Sequence, residues 1–575
     1  IDSRKIAGKN NMTAVGRLAK YDKRRRMVSM VNEYFVNMIL SSIRTLSTNT
    51  IGNTLTTIYG PLEVLMGARI RKVGKWVRGE SLEEVNLEVD RATREFVELY
   101  HQFGDAMRWG KKAWSNKDYI LDPGHAVHDL PESMKNAWTA ENMGYITGKE
   151  LDETKGWGRA VSIFGNVLRT PSRALMATDE FFKQWNYRST VAADLTMKGR
   201  AKLEAGEIEN LDDWLEQEMT AMTRRGQALI EDNIEAEAVR RFSPDDPKYD
   251  TPDGPAQLAK DQDDWVKEQM GNPDILNRGE IADRAVQIAR ERTFTTDLDP
   301  ENGFLNSLGL NLQKFSYSHP WLRLFMPFIR TPVNIFVYAA RRSGLPAVNK
   351  DIHRAAHYLY KTSFGREFPN LENSKNEIAR IFSGTDERAK AEAMGRMSSA
   401  VGFFTLFGMG AMSGTITGGG PRDKNQRKLM VEAGWQPYSV KIGDTYTSYR
   451  RLDPVATLMG IYADMYEVVQ YAPPEEQHNI EKITMGIVAT FFENLQNKSY
   501  IQGLTNIAAV INDPERSVSK TAGTLAASFT VPALVASARS ITDDNMMEVR
   551  GMLDQIISRV PLLSQTMLDP QRNVL

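Results

Sequence analysis

Ser81-Leu-Glu-Glu-Val-Asn-Leu-Glu-Val-Asp-Arg-Ala-Thr-Arg-Glu-Phe-Val-Glu-Leu-Tyr-His-Gln-Phe-Gly-Asp-Ala-Met107 is the stretch that settles the fold class. Val85, Val89, Ala92, Phe96, Leu99, Phe103 and Met107 recur at intervals of three and four, the repeat that lines side chains along one face of an α-helix. Ser81, with Glu84 three residues on, has the form of a capping box, so a helix of about seven turns is expected to begin there. Upstream, Val31, Tyr34, Phe35, Met38, Ile39, Ile43 and Leu46 repeat the spacing and predict one amphipathic helix over Val28–Leu46. Downstream, the same pattern predicts helices over Pro171–Ala205, Leu211–Arg241, Glu280–Arg292, Val348–Tyr360, Ser374–Ser383, Glu387–Met409, Pro454–Tyr471, Glu475–Asn497 and Asp543–Val560.

Strands do not alternate with these helices, which excludes a parallel α/β sheet. The exception to helix is Tyr438–Arg450, where two alternating runs flank Gly443-Asp444, a pair suited to a two-residue hairpin turn. The expected fold is therefore all-α, a multi-subdomain helical assembly with one small β-hairpin near residues 438–450. A chain of 575 residues exceeds what one core supports, so subdomains are expected. Proline and glycine cluster at Ser243–Pro255 and Gly418–Pro421 and suggest boundaries. The reading divides the chain into a basic, helical N-terminal region (1–130), a helical region (131–242), and an acidic loop-rich linker with a helix (243–300). A helical region with an apolar, glycine-rich segment (301–420), the hairpin region (421–453) and a C-terminal helical region (454–575) follow. The acidic residues between Glu204 and Gln269 fit a solvated face.

Seventy-two basic residues balance 73 acidic ones, so no global field draws the chain to nucleic acid or anionic membrane. The absence of cysteine excludes a disulfide framework and thiolate chemistry. The first residue is Ile1 and no signal-peptide pattern follows, so the segment is expected to start inside a longer chain. His353 and His357 share a helix face, but Arg354 occupies the place where a metalloprotease helix carries its glutamate. His125 and His128 fall in a Pro/Gly-bounded stretch and are expected in a surface loop. Gly144-Tyr-Ile-Thr-Gly-Lys-Glu150 is one residue short of a phosphate loop and reads better as a helix end, while Gly408–Gly414 misses the dinucleotide fingerprint. Glu80-Ser81 has the form of the Glu-Ser pair of lytic transglycosylases, though Ser81 is accounted for as a helix cap. No cofactor, metal or catalytic residue is expected.

Surface contacts are more legible. Met397–Pro421 carries no charge, and Gly410, Gly414 and Gly418 stand four apart, with Phe403, Phe404 and Phe407 beside them. This run is long enough for a bilayer-crossing helix with a small-residue contact stripe, but in the folded chain it fits better a buried glycine-rich helix and loop leading into the hairpin. Thr45–Leu62 and Thr521–Ala538 are also uncharged, but read as buried or interfacial. Arg17, Lys20, Lys23, Arg24, Arg25 and Arg26 form a basic cluster suited to phosphate or anionic lipid, or a solvated helix end. Between Leu312 and Arg342, basic residues interleave with aromatics, which fits base stacking less well than core aromatics with snorkelling arginines. Tyr446 and Tyr449 are the hairpin's candidates for packing or subunit contacts.

Several phrases are familiar together: Leu40-Ser-Ser-Ile-Arg-Thr-Leu-Ser-Thr-Asn-Thr-Ile-Gly-Asn53, Thr170-Pro-Ser-Arg-Ala-Leu-Met-Ala-Thr-Asp-Glu-Phe-Phe-Lys183, Pro327-Phe-Ile-Arg-Thr-Pro-Val-Asn-Ile335, Gly434-Trp-Gln-Pro-Tyr-Ser-Val-Lys-Ile442 with Arg451-Leu-Asp-Pro-Val-Ala456, and Val560-Pro-Leu-Leu-Ser564. Across most of its length the chain thus resembles the helical region of the large internal virion, or DNA-ejection, proteins of short-tailed bacteriophages. The resemblance implies a structural protein stored in the virion core near the portal, ejected ahead of the genome. It implies a homo-oligomer that joins other phage ejection or core proteins in a conduit through the host periplasm and inner membrane, with genomic DNA as a further partner. It implies no enzyme within these residues, any transglycosylase domain lying elsewhere. Two rivals stay open: a peptidoglycan-degrading virion subunit relying on Glu80, and a DNA-binding internal capsid protein relying on Arg24, Arg25 and Arg26.

Overall fold

The computed structural model describes residues 12–121, 136–222, 254–299, 328–343 and 384–471 with few gaps, together with short pieces elsewhere. The fold is all-α with a small antiparallel hairpin. Helix α1 (Met12–Leu40) stops two residues before α2 (Ile43–Val77), so the single helix expected over Val28–Leu46 is broken. The cause is local: Ser41 Oγ donates to the Met38 carbonyl at 2.7 Å, and Ser42 turns to an extended conformation. Helix α3 (Glu83–Asn116) starts later than the capping box requires, because Leu82 precedes its first residue and Ser81 Oγ meets the Glu83 N–H at 3.4 Å. Helix α4 (Ala140–Thr147) has Thr139 as its cap and closes on Gly148 at φ +72°, so Gly144–Glu150 is the helix end expected.

Helices α5 (Gly156–Leu168) and α6 (Thr170–Glu204) follow, the latter with Pro171 in its first turn, where a proline lacks no needed hydrogen bond. Then come α7 (Leu211–Met222), α8 (Gly254–Met270) and α9 (Pro273–Arg292). The stretch taken as an acidic, loop-rich linker is thus largely helical: Ala, Gln, Leu, Lys and Glu over Gly254–Met270 supply helix propensity that acidity alone did not reveal. Helix α10 (Arg330–Arg341) precedes α11 (Glu387–Met412), whose Asp386 cap accepts from the Ala389 N–H at 3.1 Å. Helix α12 (Lys424–Glu432) leads into β1 (Ser439–Ile442) and β2 (Thr445–Ser448), which pair antiparallel from Ser439↔Ser448 to Ile442↔Thr445 around Gly443 at φ +62°. Helix α13 (Val455–Gln470) matches expectation. Two-residue strands β3 (Asn545–Met546) and β4 (Asn573–Val574) pair where the sequence predicts the start of a helix over Asp543–Val560. The helices expected over Val348–Tyr360 and Glu475–Asn497, all but one residue of Ser374–Ser383, and the stretch Thr521–Ala538 lie outside the described residues.

Packing is built on two antiparallel pairs. In one, α3 lies along α6, with Gly110 against Ala177 and Phe181, and Leu99 against Trp185. In the other, α2 lies along α11: Gly67 abuts Ala391 and Gly395, Glu63 abuts Gly395, and Tyr59 reaches Ser399. Helix α9 packs on α6 through Tyr187, Val191, Leu195, Ala282, Ala285 and Ala289, while α13 packs on α11 and carries the hairpin. The buried apolar residues fall into separate clusters, and charged seams join them.

Candidate functional site

The interior surface of α3 carries charge. Glu88, Arg91, Glu95 and Glu98 are buried alongside Val85, Ala92 and Leu99, all at the three-and-four spacing of the helix side packed on α6 and α2. Their partners come from distant helices. Arg91 Nη1 lies 2.9 Å from Glu95 Oε2 and 3.5 Å from Asp194 on α6, and its other nitrogens hold Glu88. Arg292, the last residue of α9, reaches Glu95 Oε1 at 2.9 Å, and Arg388 of α11 reaches Asp194 at 3.4 Å. Three carboxylates therefore meet three guanidiniums where four helices converge. Burial would raise the Glu95 pKa, but Arg292, Arg91 and Arg388 outweigh it and hold the carboxyl ionised far below its ordinary range.

A second seam centres on Arg342, just beyond α10. Its guanidinium grips Glu63 of α2 and stacks 3.5 Å from the Tyr338 ring centroid. Glu63 also accepts from Ser399 Oγ at 2.8 Å, Ser399 accepts from Tyr59, and the Arg342 carbonyl accepts from Tyr462 of α13 at 2.9 Å. Nearby, burial opposes ionisation of Glu291, yet Arg396, Arg341, Arg342 and Arg292 bring its pKa down to about 2. Arg341 and Arg342, read from the sequence as a base-stacking or snorkelling set, are therefore ion-pair residues; Phe315, Tyr317, Trp321 and Phe325 lie outside the described residues.

The glycine stripe is not a stripe. Helix α11 ends at Met412, so Gly410, Gly414 and Gly418 do not share a helix face. A side chain at Gly410 would strike Ile416, and Gly414 sits at φ +70° as the chain leaves the helix. Gly418 starts a concave run of amides: the Gly418 and Gly420 N–H groups donate to the two oxygens of Glu467 at 2.8 and 2.7 Å, and Gly419 N–H donates to Asp464 at 2.7 Å. That nest fastens the hairpin to α13. Burial raises the Glu467 pKa, with the two amides opposing it. The small-residue crossing of α11 lies one helix turn after another at Ala391, Gly395 and Ser399, against Glu63 and Gly67. Phe407 is buried and stacks on Phe403, while Phe404 points outward; no described helix is long and apolar enough to cross a membrane.

Of the basic cluster, Arg17 and Lys20 lie on α1, Lys23 is exposed, and the side chains of Arg17, Lys20, Arg24 and Arg25 lie outside the described residues. Arg26 is engaged within the fold: it donates to Asn142 and stacks 4.3 Å from the Tyr145 ring, tying α1 to α4. Tyr449 is buried, with its hydroxyl donating to the Thr417 carbonyl at 2.7 Å, so it packs the hairpin; Tyr446 is half-buried beside Lys441. Glu80 is exposed and bonded by Arg78, which lowers its pKa, the opposite of what a glycosidic general acid requires. The four histidines of the two sequence pairs lie outside the described residues, and no cluster of metal-ligating side chains occurs among the described ones.

Sequence reasoning missed the buried ion pairs because their partners are far apart in the chain. The one available signal was the charge repeat Glu88, Arg91, Glu95, Glu98, which has the same helical period as the apolar residues. No protein-family model, no curated protein and no solved structure matches the chain.

Proposed function

We propose that the chain is a structural component of a phage virion core that is ejected into the host and helps form a conduit for genome delivery across the cell envelope. In this reading it works as a homo-oligomer with other ejection or core proteins, without enzymatic activity in these residues. The resemblance carried by the stretches 40–53, 170–183, 327–335, 434–456 and 560–564 supplies the direction. The observation that carries the reading is the outward face of α11: Val401, Phe404, Leu406, Met409 and Met412 are exposed along a helix segment without charge, on a body whose interior is stitched by ion pairs. Exposed apolar surface of this extent serves assembly or an interfacial membrane contact. Glu80, ionised and paired to Arg78, is no support for a peptidoglycan-degrading subunit.

The test is flotation of the purified chain with anionic liposomes, coupled with negative-stain imaging for rings or tubes. Wild type is expected to float and assemble, and Val401→Glu/Phe404→Glu/Met412→Glu to do neither while keeping its helical circular dichroism. Wild type that neither floats nor assembles removes the conduit role.

A further inference from the structure

Helix α3 buries charge among its smaller apolar residues and exposes its aromatic ones. Its inward face holds the charged seam, whereas Phe96, Tyr100, Phe103, Met107 and Trp114 fall on one outward line at intervals of four, three, four and seven. Tyr100 is 85% exposed, although it sits at the middle of a 34-residue helix. Phe103 stands edge-on to the partly buried Phe181 and the buried Trp185, at 5.5 and 5.1 Å between ring centroids, so α6 holds this ring of the line in place. Rigid, pre-placed aromatics are what interface anchors are made of.

Most of the exposed charge along the same helix is segregated: Glu83, Glu84 and Asp90 precede the aromatic line, and Arg108, Lys111, Lys112 and Lys117 lie along its later half and beyond. Glu84 also meets Lys75 at 3.8 Å and Arg108 meets the half-exposed Asp105 at 2.8 Å, which leaves Glu83, Asp90, Lys111 and Lys112 as the main contributors to the two ends. Acid at one end and base at the other, with an apolar centre between, is complementary to itself when reversed. Gly104, in the middle of the helix, has open space where a side chain would be. A glycine inside a helix costs about 0.5–1 kcal/mol relative to alanine, and here no contact within the chain requires it. The open space would admit a second backbone.

From these features we infer that α3 is a two-fold interface between two copies of this chain, packed antiparallel about Tyr100. With Tyr100 near the axis, Asp90 of one copy lies opposite the Lys111-Lys112 pair of the other, and Phe96 faces Phe103 and Gly104, where the missing side chain lets the opposing helix come close. A two-fold contact uses the same patch on both copies and closes on itself. It therefore differs from the head-to-tail contacts of a ring or tube, and it stands whether or not the conduit reading holds.

The chain has no cysteine, so single introduced thiols report the geometry directly. Under mild oxidation, Tyr100→Cys is expected to form a covalent dimer. Asp90→Cys is expected not to, because the two thiols would stand about 30 Å apart along an antiparallel pair. Mixed Asp90→Cys and Lys111→Cys chains are expected to form a heterodimer. Sedimentation of wild type should show a dimer, weakened roughly tenfold or more in Glu83→Lys/Glu84→Lys/Asp90→Lys and likewise in Arg108→Glu/Lys111→Glu/Lys112→Glu, and restored when the two reversed chains are mixed. All these positions are exposed, and circular dichroism confirms folding. A wild type that is monomeric at tens of micromolar overturns the inference, as does equal cross-linking at positions 90 and 100, or no recovery on mixing the reversed chains.

Discussion

Arg342 lays its guanidinium on the carboxylate of Glu63, 279 residues earlier in the chain, with Nε 2.9 Å from Oε1, and both side chains are 4% exposed. This pair welds α2 to the end of α10, and Ser399 and Tyr462 bring in α11 and α13.

Removing one member leaves the other charged and buried. Arg342→Met or Glu63→Gln is expected to cost about 3–5 kcal/mol in chemical denaturation. The double change Glu63→Met/Arg342→Met should recover much of that loss, since no buried charge is then stranded. A double variant as unstable as the sum of the singles would show that packing, and not the pair, sets the cost.

Acid should weaken the fold through Glu291. Its folded pKa of about 2 lies below the ordinary 4.5, so between those values the unfolded chain binds a proton that the native state does not. The stabilisation is present above about pH 4.5 and is lost as pH falls towards 2. In Glu291→Gln this contribution disappears, and melting temperature followed across that window should fall less steeply than in wild type.

Two glycines of α11 should respond in opposite senses. A methyl group at Gly395 would stand 2.2 Å from the Glu63 carbonyl oxygen, so Gly395→Ala is expected to destabilise by about 1–3 kcal/mol as α2 and α11 are forced apart. Gly402 is exposed with nothing near its Cβ position, and Gly402→Ala should stabilise by about 0.5–1 kcal/mol. Equilibrium unfolding of the two variants, side by side, checks both signs.

The amide nest predicts a local effect. An added methyl at Gly418 would meet Asp464 and Glu467 oxygens at 2.4 and 2.6 Å, so Gly418→Ala should release the hairpin from α13. Hydrogen exchange at residues 418–420 and in β1 is expected to accelerate, while exchange in α3 and α6 stays unchanged.

The sequence by itself determined the fold class and much of the element map. Periodicity placed α6 over Thr170–Glu204 and α13 over Val455–Gln470 within a residue or so of expectation, and Gly443-Asp444 marked the hairpin turn. These are local properties: helix repeat and turn chemistry are written within a few neighbouring residues. The tertiary structure decided which face of α3 is inside. Apolar spacing alone puts Phe96, Phe103 and Met107 inward, yet Glu95 can be buried because Arg292 and Arg388, about two hundred and three hundred residues away, neutralise it, and that leaves the aromatics outside. It also decided that Gly418 is an amide donor and Gly395 a helix crossing, since a glycine's role depends on what approaches it, and here the approaching groups come from distant parts of the chain.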